Sequence, residues 1–154
     1  MKKRLLALTL GALVATSAVA FAMSQQDAKN MANTYVPADA KYAYISEDEN
    51  DFDVYYQTAD RLYEVEVDKK LGRVTDVSID KLSPTLSTAV NINADQARAA
   101  VLAQYPNAKI TSVKLDRDTY KVTYDVKFID NGVRGDADVL ASDGTVLEVD
   151  LDYR

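Results

Sequence analysis

Carboxylates are the side chains from which this 154-residue sequence could build a reactive site, since it holds 24 acids and neither histidine nor cysteine. That composition removes Ser-His-Asp and Cys-His nucleophiles and every imidazole or thiolate metal site. Paired acids could still share general acid and base work. The candidates are Asp136 with Asp138 and Asp150 with Asp152. Each pair is spaced i, i+2 within an alternating run, which puts both members on the polar face of a strand. The spacing therefore predicts a solvated sheet face rather than a dyad. A second oxygen-rich stretch, Ser46-Glu47-Asp48-Glu49-Asn50-Asp51-Phe52-Asp53, has the density of a calcium loop. An EF-hand requires glycine at its sixth position and glutamate at its twelfth. Counted from Asp48, those positions hold Asp53 and Ala59, so the stretch reads as an acidic hairpin loop. There is no glycine-rich phosphate loop. The expectation is a non-enzyme with no catalytic residue, no cofactor and no metal site.

The elements that position these acids occur twice. Ser24, Asp27, Ala28, Met31 and Ala32 are followed 69 residues later by Asn93, Gln96, Ala97, Ala100 and Val101. Ser24 and Asn93 are good N-caps. Ala28, Met31, Ala32 and Tyr35 recur at i, i+3, i+4, i+7, as do Ala97, Ala100, Val101 and Gln104, which predicts a helix of about three turns in each copy. Both are expected to stop at a proline, Pro37 or Pro106. The period then changes to two. Tyr120, Val122, Tyr124, Val126 and Phe128 form one strand, Val133, Ala137 and Val139 the next, and Leu147, Val149, Leu151 and Tyr153 the last. Ile110–Leu115 reads as a strand before them. Asp130-Asn131-Gly132 and Ser142-Asp143-Gly144 supply turns. In the first copy Phe52, Val54 and Tyr56, then Tyr63, Val65 and Val67, then Thr75, Val77 and Ile79 alternate in the same way. Gly72 and Gly144, like Val77 and Val149, lie 72 residues apart, so the second copy gains three residues between helix and last hairpin.

The fold class expected is α+β: two tandem modules, residues 23–81 and 93–154, each one helix packed on a three- or four-stranded antiparallel sheet. Residues 82–92, with Leu82-Ser83-Pro84-Thr85-Leu86-Ser87-Thr88-Ala89 at their start, read as a linker; the alternative is an edge strand. Tyr42, Tyr44, Tyr55, Tyr56 and Tyr63 crowd the first module, and Tyr55 and Tyr56 cannot share a face, so one is expected to point outward. An outward tyrosine is a candidate contact.

Asn93-Ala94-Asp95-Gln96-Ala97, Ala100-Val101, Tyr105-Pro106-Asn107-Ala108-Lys109 and the ending Ala141-Ser142-Asp143-Gly144-Thr145-Val146-Leu147-Glu148-Val149 resemble the PepSY domain family. The first copy keeps Tyr35, Pro37, Ala40 and Lys41, with one extra residue in the turn, and Val67-Asp68-Lys69-Lys70-Leu71-Gly72-Arg73-Val74. Asn107 stands where the family has glycine, which asparagine permits if left-handed. The resemblance implies an extracytoplasmic binding module or a restraint on a secreted peptidase, as in thermolysin-type propeptides. No peptidase follows in this sequence, so inhibition is expected to act in trans. The paired helix-plus-sheet layout is also similar to cystatin-like and beta-lactamase-inhibitor architectures, by fold analogy alone.

Residues 1–22 read as a signal peptide: Lys2, Lys3 and Arg4, an apolar run Leu5–Val14, and Ala20-Phe21-Ala22 as the cleavage site, after Ala22 or Ala20. The apolar segment is shorter than the roughly 20 residues a spanning helix needs. The protein is therefore expected to be exported, periplasmic or secreted, without stable membrane insertion after cleavage. Without a cysteine, no lipid-modified N-terminal cysteine can form. Loss of three cations takes the net charge from −6 to −9, which disfavours nucleic acid and anionic membranes. The partner expected is an extracytoplasmic protein, a peptidase first among them. The alternative is an assembly role in the envelope through dimerisation or envelope binding.

Overall fold

The computed structural model describes residues 23–154; the signal-peptide reading of residues 1–22 lies outside it. Helix α1 (Gln25–Ala32) and helix α2 (Ala94–Gln104) both begin with a capping box. The side chains of Ser24 and Asn93 accept the N–H of Asp27 and Gln96, whose own side chains accept the cap N–H in return. Two orphan donors at each helix start are thereby satisfied. Helix α2 ends at its cap Tyr105, directly before Pro106. Helix α1 is shorter than its periodicity predicts. It stops at Asn33, and Thr34 and Tyr35 donate to Met31 and Ala32 in a tightened last turn, so Pro37 is not what ends it.

Eight strands follow the helices: β1 (Lys41–Glu47), β2 (Asp51–Gln57), β3 (Arg61–Asp68) and β4 (Arg73–Lys81), then β5 (Lys109–Arg117), β6 (Val122–Asp130), β7 (Val133–Leu140) and β8 (Val146–Asp152). They do not make two sheets. All are antiparallel neighbours in one continuous sheet of order β1-β2-β3-β4-β8-β7-β6-β5, joined where Asp76–Asp80 of β4 pairs with Glu148–Asp152 of β8. Across this seam Val77 lies opposite Leu151 and Ile79 opposite Val149. Directly opposed residues share a face, so both apolar clusters lie on one side. Ala28 and Ala32 of α1 pack on Phe52, Val54, Val65 and Val77; Ala97 and Val101 of α2 pack on Val126, Phe128, Val139 and Val149; Ile79 and Leu151 touch both clusters. Among the described residues, the opposite side of the sheet carries no helix.

The halves share their irregularities. A register shift leaves Ala43 unpaired in β1 and Thr111 in β5. A second pushes Thr75 out of the β3–β4 ladder and Leu147 out of the β7–β8 ladder. Gly72 and Gly144 both have positive φ, 64° and 81°. The three extra residues of the second half are a net figure. The turn before β5 is one residue shorter: Ala108 donates to Tyr105 where Ala40 donates to Pro37, so Pro37 stands at the place of Tyr105. The β5–β6 hairpin is two residues longer in each strand. Asn107 does not adopt the left-handed conformation, which among non-glycine described residues is confined to Ser83 and Asn131.

Residues 82–92 hold neither helix nor strand. They are nevertheless fastened: Val122 N–H donates to Ser87 O, the N–H groups of Asn91 and Ile92 donate to Ala141 O, and the Tyr124 hydroxyl donates to Ile92 O.

Candidate interaction surface

Register alone decides what the helix-free face displays. Three rows of directly opposed residues cross all eight strands. One runs Ser46, Asp53, Glu66, Asp76, Asp152, Arg134, Ile129, Lys109. The next runs Tyr44, Tyr55, Glu64, Ser78, Asp150, Asp136, Lys127, Ser112. The third runs Lys41, Gln57, Leu62, Asp80, Glu148, Asp138, Asp125, Lys114. Acid therefore faces acid at Asp53–Glu66, Glu66–Asp76, Asp76–Asp152, Asp80–Glu148, Glu148–Asp138, Asp138–Asp125 and Asp150–Asp136. Like charges directly opposed across strands destabilise a sheet.

The carboxylates suspected from sequence meet here. Asp136 and Asp138 stand against Asp150 and Glu148, and Asp152 closes the neighbouring row against Asp76 and Arg134. These acids are half-buried rather than freely solvated, because each is flanked by side chains on both neighbouring strands. Burial is the first cause that lifts the carboxyls of Asp53, Asp80, Asp125 and Glu148 above their ordinary range, followed by neighbouring acids. Asp76 is pushed up to about 6, by burial and then by Asp150 and Glu66. A shallow concavity of 390 Å³ lies between Lys114, Asp125, Asp136, Asp138, Glu148 and Asp150.

Cations reach some of these acids but not others. Lys121 pairs with Asp138 at 2.7 Å, Lys127 with Asp136, and Arg154 with Glu66 at 3.0 Å. None of the ion pairs among the described residues includes Asp53, Asp76, Asp80, Glu148, Asp150 or Asp152.

Aromatics occupy the β1 end. The bulge at Ala43 sends Tyr42 and Tyr44 to opposite faces, so Tyr42 meets buried Tyr56 edge-on while Tyr44 stacks on Tyr55 with ring centroids 4.2 Å apart. The outward member of the Tyr55–Tyr56 pair is Tyr55, and Tyr44 over it is 53% exposed. The oxygen-rich stretch 46–53 spans the β1–β2 turn. Asp48 accepts the N–H groups of Asn50 and Asp51, and Glu47 pairs with Lys69 at 2.9 Å.

Sequence reading missed the carboxylate rows because alternation gives a face but no register. One signal was present. The 72-residue offset relates Asp53 to Asp125, Glu64 to Asp136, Glu66 to Asp138, Asp76 to Glu148 and Asp80 to Asp152.

Residues 91–152 match the PepSY family, described as the peptidase propeptide and YPEB domain, and this stretch is a PepSY domain. Among solved structures, a candidate lipoprotein from Clostridium difficile aligns at 21% identity over 86% of this chain and 95% of its own, with a TM-score of 0.38. A DUF2874 family protein from Bacteroides uniformis aligns at 12% identity over 82% of this chain and 88% of its own, with a TM-score of 0.33. No curated protein matches the chain.

Proposed function

We propose that this protein is an exported, non-enzymatic binding module in which two PepSY-like units share one sheet and engage an extracytoplasmic protein, a peptidase first among candidates. The observation that carries the reading is the open face, eight strands wide, on which carboxylates oppose carboxylates and Asp53, Asp76, Asp80, Glu148, Asp150 and Asp152 take part in none of the ion pairs among the described residues. A surface that stores like-charge repulsion gains most from a partner that brings positive charge. The common bulges and the 72-residue offset support duplication of one unit, and the peptidase-propeptide description of the matched family supports the class of partner. The lack of histidine and cysteine supports a role without catalysis. Both edge strands carry a bulge, which disfavours added strands at the edges and favours the face or a hairpin tip as the contact. The test titrates residues 23–154 into secreted peptidases of the source organism while a fluorogenic peptide reports cleavage. Inhibition at micromolar concentration that weakens in Asp76→Asn/Asp150→Asn supports the reading. Undiminished cleavage by every peptidase sinks the peptidase version and shifts weight to envelope assembly.

A further inference from the structure

The seam between β4 and β8 is the only strand pairing that joins the two halves among the described residues. Its helix side is apolar, with Val77 and Ile79 against Leu151 and Val149; its open side sets Asp76 against Asp152, Ser78 against Asp150 and Asp80 against Glu148. Because β4 and β8 are equivalent strands related by the 72-residue offset, both acids of β4 meet an acid of β8, and Asp150 of β8 faces Ser78. A single carboxylate pattern is thereby doubled at the joint. We propose that this seam is an acid-tightened joint, which holds the halves together more firmly at about pH 5 than at about pH 7.5.

The groups facing the seam come from both sides. From β3 stand Glu64 and Glu66, and the field of Arg61 reaches Asp80; from β7 stand Arg134, Asp136 and Asp138. Arg154 is engaged with Glu66, and Lys121 with Asp138. Arg134, opposite Asp152, is the one cation in register with a seam acid. The flanking cations therefore leave the joint itself acid-rich. Asp76, Asp80 and Glu148 are all displaced upward by burial first and by neighbouring acids second. A carboxyl whose folded value lies above its unfolded one weakens the fold at neutral pH. That penalty is relieved as pH falls through the folded value, about 6 for Asp76, toward the ordinary 3.8. Below about pH 4 the trend reverses, because Asp27, Glu47 and Asp48 are held low by hydrogen bonds from Ser24, Gln25 and the Asp51 N–H and lose that support on protonation.

Hydrogen exchange reads the joint directly. After correction for intrinsic exchange, protection of peptides spanning residues 73–81 and 146–152 is expected to rise about tenfold between pH 7.5 and 5, the factor that a carboxyl raised from 3.8 to about 6, as Asp76 is, supplies over that range. In Asp76→Asn/Asp80→Asn/Glu148→Gln, protection is high at both pH values and the rise falls below about threefold. A control pair at exposed loop positions, Asp39→Asn/Glu49→Gln, keeps the full rise. An absent rise in the natural protein, or an undiminished one in the triple variant, overturns the proposal. Carboxyl-carbon NMR of the natural protein tests it without any variant: Asp76, Asp80 and Glu148 must titrate above the ordinary carboxyl range, and ordinary titration of all three overturns it equally.

Discussion

Gly135 lies opposite Phe128 in the β6–β7 ladder, and a Cβ built on it would clash with the outer edge of the Phe128 ring, at Cζ and the two Cε atoms. The ring also packs on Tyr105, with centroids 4.8 Å apart, so the glycine creates the space that lets Phe128 bridge strand and helix. At the equivalent place in the first half Tyr63 stands opposite Tyr56, and no glycine is needed because Tyr56 points its hydroxyl to Lys29 O at 2.9 Å. Gly135→Ala should destabilise the protein by about 1–3 kcal/mol through overpacking. Adding Phe128→Leu should recover part of that loss, and urea denaturation of both singles and the double would give a clear coupling energy. If the double is merely additive, the ring is not what the glycine accommodates. Tyr124 makes a comparable link, its hydroxyl donating to Ile92 O at 3.0 Å. Tyr124→Phe is expected to lose about 1 kcal/mol in the same measurement.

The helix caps show what was legible at the level of elements. Ser24 and Asn93 can be read as N-caps because a small polar side chain followed three residues on by an acid or amide has a local physical meaning, and both close their capping boxes. Asn93→Ala should cost about 1 kcal/mol, while Asn93→Gly should cost only a few tenths, as equilibrium unfolding would show. Strands buried on one side are equally legible: Val54, Tyr56, Val65 and Val67 alternate because one face meets the core. Strand β1 is not. It is an edge strand, exposed at nearly every position and broken by the bulge at Ala43, so no period of two survives in Lys41–Glu47. The length of α1 misleads for a related reason. Met31 and Tyr35 extend the apolar stripe, but Tyr35 contributes by packing edge-on against Tyr153 at 5.2 Å, a contact that does not require it to be helical.

At the scale of the molecule, the acidic face and the continuous sheet have one origin. Each half ends on a strand whose core side is apolar and whose outer side is acidic, and pairing those last strands antiparallel completes the core across Ile79 and Leu151 while forcing the acids together. Sequence could supply two such units but not their joint, since the paired residues of β4 and β8 lie 68 to 76 positions apart and leave no local trace. The joint should therefore be what each half lacks when separated. A fragment of residues 82–154 retains α2 and its four strands, yet β8 becomes an edge with Val149 and Leu151 stripped of Val77 and Ile79. Bare hydrogen-bonding groups beside exposed apolar side chains invite pairing with another copy. The fragment is expected to dimerise through β8, because a second β8 offers the same alternation of apolar and acidic residues that β4 offers. Sedimentation at pH 5 and 7.5 would check this, with the dimer tighter at the lower pH. Leu151→Lys should return the fragment to a monomer by placing a charge on the apolar side of the new seam. A fragment that stays monomeric at both pH values would mean that the second half is self-sufficient, and that the continuous sheet is a docking of two finished units rather than the completion of each by the other.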